Sequence, residues 1–293
     1  MKYETSSLGV LTILDIVPGA QLIASVQAME SMGYGSYWIP EVLGREVMST
    51  AGYLLANTTE ISIATGIANV YVRDAHATAY ARHTLCELYG ERFILGLGVS
   101  NVEISKIRGY AWRPPATKIA EYLEQMSALE PAAAKAEVLG PLHIAAHGPK
   151  LQALAAARSN GAVTYLMSAA HTELSRQRIG PEAELSATCM MLAETDPVRA
   201  RATARKALAY YVTLDYYQRE WRALGFNDND FADGGSDALI DMLVGWGDAQ
   251  ALQRRVQEHL GAGANRVLVM PLDSTQSGLV ESATLKALAP NAV

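Results

Sequence analysis

The chain is short of several things, and each shortage removes a class of function. It has only two cysteines, Cys86 and Cys189, both inside apolar segments. They read as inert core thiols, not as a disulfide or a metal pair. It has no excess of basic charge. The formal net charge is -6 and the pI is about 5.6, which speaks against a general nucleic-acid or membrane-surface role. It has no apolar run long enough to span a bilayer. Met1-Lys2-Tyr3-Glu4-Thr5 lacks the basic-then-apolar pattern of a secretion signal. Internal repeats, low-complexity tracts and linkers are also missing. The expectation is a cytoplasmic globular protein that binds no nucleic acid and no membrane.

Familiar motifs are missing too. Gly96-Leu97-Gly98 lacks the third glycine and the helix opening of a dinucleotide fingerprint, and no P-loop exists. Gly98-Val99-Ser100-Asn101-Val102 lacks the last glycine of a nucleophile elbow. His143 and His147 are four apart, but on a strand that separation is roughly 13 Å, too far to chelate one ion. His76 and His83 lie two helical turns apart and cannot share a metal either. No metal site is expected.

What is there is alternation. Apolar, β-rich runs begin at Leu8, Tyr34, Ile61, Phe93, Leu142, Ala162, Leu185 and Arg266, and helical stretches separate them. Asp74 reads as the N-cap of a helix from Ala75 to Tyr89, stopped by Gly90. Pro149 sits in the first turn of a helix ending at Arg158. Asp196-Pro197 opens a helical region read as running to about Leu224, and a second is read from Ser236 to Leu260. Eight strand-helix alternations without a composition break predict a single domain over residues 1–293, a (β/α)8 barrel of α/β class. The alternative is an open doubly wound sheet.

A barrel keeps its chemistry at strand C-termini. There the sequence offers Trp38 and Glu41, then Gly66, Ile67, Ala68 and Asn69 with Arg73 beyond, then Gly98, Ser100 and Asn101. Gly148, Pro149 and Lys150 follow, then Tyr165 with His171 after it. Gly148 before a helix start, with a lysine at its side, suits an anion, most naturally a phosphate. The plain reading is a tight turn with a solvated lysine. Glycine weakens a strand, so Gly96 and Gly98 serve either close backbone packing or a flat ligand that leaves no room for a Cβ.

Together Trp38-Ile39-Pro40-Glu41, Gly44-Arg45-Glu46, Ala64-Thr65-Gly66-Ile67-Ala68-Asn69, Arg92-Phe93-Ile94-Leu95-Gly96-Leu97-Gly98-Val99-Ser100, Gly148-Pro149-Lys150 and His171-Thr172 resemble the luciferase-like monooxygenase superfamily. Within it they look like the actinobacterial branch of probable coenzyme F420-dependent oxidoreductases. The resemblance implies a TIM-like barrel, a deazaflavin or flavin across the strand C-termini, a small-molecule substrate and often a homodimer. It implies a non-prolyl cis peptide at Gly66-Ile67. It gives Trp38, Gly66, Ile67, Ala68, Asn69, Gly98, Ser100, Gly148, Pro149, Lys150 and Tyr165 to the cofactor, and makes His171, Asn101, Glu41 and Arg73 the catalytic candidates, with His171 the titrating one. Two departures stand out: Asn101 where the family commonly has histidine, and Asn265-Arg266 where it commonly has Asp-His. The function implied is hydride transfer between coenzyme F420 and a small organic substrate. The alternatives are a reduced-FMN monooxygenase and a catalytically altered or cofactor-free binding homologue.

Overall fold

The computed structural model describes residues 7–129, 136–273 and 279–291; Met1 to Thr5 lie outside them. Ten strands form one sheet: β1 (Leu8–Leu11), β2 (Ser36–Ile39), β3 (Ser62–Thr65), β4 (Ala68–Asn69), β5 (Phe93–Gly98), β6 (Leu142–Ala145), β7 (Gly161–Tyr165), β8 (Glu184–Leu192), β9 (Val244–Trp246) and β10 (Arg266–Pro271). Eight of them, all parallel, close into a barrel in the order β1-β2-β3-β5-β6-β7-β8-β10. β10 seals it by pairing with β8 on one side and β1 on the other. The open-sheet alternative is thereby excluded.

Local signals place the helices. Asp74 accepts a bond from the Ala77 amide (2.8 Å), and the helix it opens, Ala75–Tyr89, ends where Gly90 takes φ 64°. Glu46 caps Val47–Leu55 through the amides of Met48 and Ser49. Pro149–Arg158 forms as the sequence predicts. One expectation fails and another is refined. The helical region after Asp196 resolves into a helix (Pro197–Leu208), a 3-10 turn and a second helix (Asp215–Arg222). The region after Ser236 contains β9, which adds to β8 outside the closed ring. Three-residue strands carry too little periodicity to stand out from helical flanks.

Three apolar clusters hold the fold. Leu11, Trp38, Ala64, Ile94, Val163 and Leu268 fill the barrel. A second, larger cluster packs strands against the surrounding helices. A third, with Trp221, Tyr217, Leu239 and Leu243, binds the 197–243 excursion over the ends of β7 and β8.

The strand glycines answer a packing constraint. A Cβ on Gly96 would stand 2.1 Å from the Thr65 carbonyl oxygen. The Thr65 hydroxyl donates to the Gly96 carbonyl (2.7 Å) and accepts from its amide (2.8 Å). A Cβ on Gly98 would meet the Ile67 side chain at 2.6 Å and Ala145 at 3.1 Å. The expectation that Gly98 keeps space free for a ligand is corrected here: that space holds Ile67. Gly96→Ala should lower stability by about 1–3 kcal/mol or more, because no rotamer relieves a clash with backbone. A urea melt checks this, and unchanged stability would contradict the close approach.

Candidate active site

β3 stops at Thr65, the Gly66-Ile67 peptide is cis, and the chain re-enters the sheet as β4 beside β5. This bulge carries Ile67, half-buried, over the barrel interior. Glu41, just past β2, holds it. Its main-chain amide donates to the Ile67 carbonyl (3.2 Å), and its carboxylate accepts from the Asn69 amide (2.8 Å) and from both terminal nitrogens of Arg73. Arg73 also pairs with Glu46. Burial works against the Arg73 charge, but the bonds and charges of Glu41 and Glu46 outweigh it and raise its pKa. The Glu41 side chain is 2% exposed and that of Arg73 11%. Expected as groups that act on a substrate, both are spent on each other.

Across the mouth, β6 ends in His147 and Gly148. His147 Nε2 accepts from the Tyr165 amide (3.2 Å), which puts the ring proton on Nδ1. Burial, and the neighbouring His171, push its pKa down to about 3. Its carbonyl receives the Gln152 amide nitrogen (2.9 Å) and His171 Nε2 (3.0 Å). His171 Nδ1 faces Ser175 Oγ (3.2 Å). Expected as the titrating group, His171 is buried at 3% exposure with both ring nitrogens engaged by protein. Burial lowers its pKa. It stays neutral and braces the loop that carries His147.

Tyr165 is half-buried, its hydroxyl 3.0 Å from that of Tyr211 and 3.1 Å from Met270 Sδ. Burial raises the Tyr165 phenol well above its ordinary range. The Tyr217 ring lies 5.4 Å from His147. Asn101 caps the short helix Val102–Ile107 through the Ile104 amide (2.9 Å). Ser100 and Leu166, at the ends of β5 and β7, take left-handed φ of 58° and 56°.

The predicted residues therefore divide. Gly66, Ile67, Ser100, Asn101, Gly148, Pro149, Lys150 and Tyr165 keep exposed surface at the strand C-termini; Trp38, Glu41, Ala68, Asn69, Gly98 and His171 do not. Trp38 is wholly inside the barrel, its indole N–H on Ser36 Oγ (3.0 Å). Tyr211, Tyr217 and Met270 escaped the sequence reading, and His147 entered it only as a rejected metal ligand. The spacing of Tyr210-Tyr211, Tyr216-Tyr217 and Trp221 was the signal available for the excursion. Arg266 starts β10, at the opposite end of the barrel beside Glu184 (3.6 Å), so that departure from the family lies away from the mouth. A cavity of about 290 Å³, lined by Arg82, His83, Met126 and Arg158 among others, lies on the barrel flank near the start of β6.

The sequence pattern described as luciferase-like monooxygenase matches residues 7–266. The chain belongs to this family. Over 214 residues it is 27% identical to a 5,10-methylenetetrahydromethanopterin reductase of Methanolobus tindarius, a match spanning 62% of this chain and 64% of that protein. Its fold is similar to the coenzyme F420-dependent tetrahydromethanopterin reductase of Methanopyrus kandleri, with TM-score 0.70 at 18% identity over 96% of this chain and 97% of the other. It is also similar to the oxygenating constituent of 3,6-diketocamphane monooxygenase of Pseudomonas putida, solved with FMN, with TM-score 0.65 at 13% identity over 96% of both chains.

Glu41→Ala should remove about 2–4 kcal/mol of stability, because it strips a buried partner from Arg73 and leaves the Asn69 amide without its acceptor. Equilibrium urea unfolding gives the number. A loss below 0.5 kcal/mol, the range of ordinary surface changes, would mean that the bulge does not depend on this pair.

Proposed function

We propose that the protein is an oxidoreductase that uses coenzyme F420 and moves a hydride between its deazaflavin ring and a small organic substrate. One observation carries the reading. Gly148 is glycine without a structural reason. Its φ of -91° suits any residue, and a Cβ there would meet nothing nearer than Glu220 Oε1 at 3.7 Å. It starts a ten-residue helix that has no side-chain cap. The missing side chain leaves space before free main-chain N–H groups, which is what an anion needs. The similarity to an F420-dependent reductase fold supports reading that anion as the phosphate of F420.

In this reading Ile67, lifted by the bulge, gives the ring an apolar platform with Gly66 beside it. Gly148, Pro149 and Lys150 receive the phosphate. Ser100 and Asn101 border the side chain that joins ring to phosphate. The bound deazaflavin supplies the hydride chemistry. The chain's own part is binding, orientation and the hydrogen bonds at the substrate. Tyr165, held protonated, donates rather than abstracts, and neutral His147 can donate through Nδ1. Glu41, Arg73 and His171 act as positioning residues. A reduced-FMN monooxygenase is the second reading, favoured by the fold shared with an FMN-bound oxygenase.

Titration with F420 and with FMN, followed by fluorescence, separates the two. Lys150→Ala should weaken the true cofactor by about 1–3 kcal/mol, the scale of a charge-assisted hydrogen bond. Gly148→Ser gives opposite signs in two readouts. Serine caps a helix better than glycine by a few tenths of a kcal/mol, so stability holds or rises. Its side chain also fills the anion's space, so affinity falls. Unchanged affinity in both variants would retire the phosphate assignment.

A further inference from the structure

Glu220 sits on the helix Asp215–Arg222 of the excursion. That helix is pinned to the barrel. Trp221 is fully buried with its indole N–H on the Leu166 carbonyl (3.2 Å), and Tyr217 stacks between Trp221 and His147. The pinning aims Glu220 at the start of Pro149–Arg158. Its Oε1 lies 3.7 Å from where a Cβ on Gly148 would stand. The side chain is 15% exposed, and its ion-pair partner, Arg219 at 3.5 Å, is itself 73% exposed. Its charge reaches His171, where it opposes the effect of burial. Among the described residues no main-chain N–H of the Pro149–Arg158 helix donates to it. The helix start is therefore open to an anion, with the Glu220 charge beside it, Lys150 exposed within it and Arg178 bound to Gln152 of its first turn (3.2 Å).

We propose that Glu220 sets the charge this subsite accepts, favouring a singly charged phosphodiester over a doubly charged phosphomonoester. The inference rests on the reading that Gly148 to Lys150 hold the cofactor phosphate. Coenzyme F420 carries a phosphodiester with one negative charge. FMN ends in a phosphomonoester whose second ionisation, near pH 6, leaves it about doubly charged at neutral pH. An extra unit charge next to a half-shielded carboxylate weakens binding by about threefold. Glu220 thus selects between the two cofactors through the phosphate, independently of the ring.

The test measures dissociation constants of the protein for F420, FMN and their phosphate-free counterparts, the ribityl deazaflavin and riboflavin. Wild type is compared with Glu220→Gln at fixed ionic strength above pH 7. The expected result is a gain of about tenfold for FMN, about threefold for F420, and less than twofold for either phosphate-free compound. An FMN affinity that rises only in the variant to a measurable value also supports the proposal; FMN that remains unbound overturns it. An unchanged ratio of FMN to F420 affinity overturns it, as does a riboflavin gain equal to that of FMN. The underlying reading fails separately. If wild type binds F420 no tighter than the phosphate-free ribityl deazaflavin, the phosphate is not held here and both claims fall. Melting temperatures of the two proteins confirm that the fold is common to them.

Discussion

One carboxylate organises the mouth of this barrel. Glu41 is almost completely buried, and every bond it makes goes to the segment after β3: the Asn69 amide and both arms of Arg73 through its side chain, the Ile67 carbonyl through its main-chain amide. A buried carboxylate without such partners would be costly. With them it ties the end of β2 to the bulge and fixes where Ile67 stands. The placement of Ile67 then dictates glycine at position 98, since any Cβ there runs into the Ile67 side chain. The opposite wall follows the same logic with neutral groups. His171, Gln152 and Ser175 brace the loop of His147, whose ring nitrogen in turn receives the Tyr165 amide.

The glycines separate structure from ligand. Gly96 and Gly98 look like ligand-facing positions, because each breaks an apolar strand at the C-terminal face. Both are explained by neighbours closer than any Cβ tolerates. Gly148 has neither a clash nor a left-handed φ to explain it. The same residue type, at neighbouring strand ends, thus answers a packing constraint in one place and leaves an opening in the other. Only side-chain positions distinguish the cases.

Much of the barrel was legible because its signals are local. The alternation of strands and helices, the Asp74 cap with its Gly90 stop and the proline-led helix at Pro149 each depend on a few adjacent residues. The site was legible as an address, namely the strand C-termini, but not as a set of roles. Glu41 and Arg73 are 32 positions apart, and nothing in either neighbourhood says that they neutralise each other. His171 reads as a titrating group until its two partners, the His147 carbonyl and Ser175, are seen to occupy both nitrogens. Glu220 and the tyrosines of the excursion were hidden because the break between its helices, at Tyr211–Thr213, has no sequence signal that would place them over the mouth.

We propose that a phosphate-bearing deazaflavin spans this mouth from the Ile67 platform to the start of the Pro149–Arg158 helix. A crystal structure of the protein with coenzyme F420 tests it most directly. The account predicts density for the ring against Ile67 and for the phosphate within hydrogen-bonding distance of the main-chain N–H groups after Gly148. A phosphate seated elsewhere, or a ring that leaves Ile67 uncovered, would contradict it.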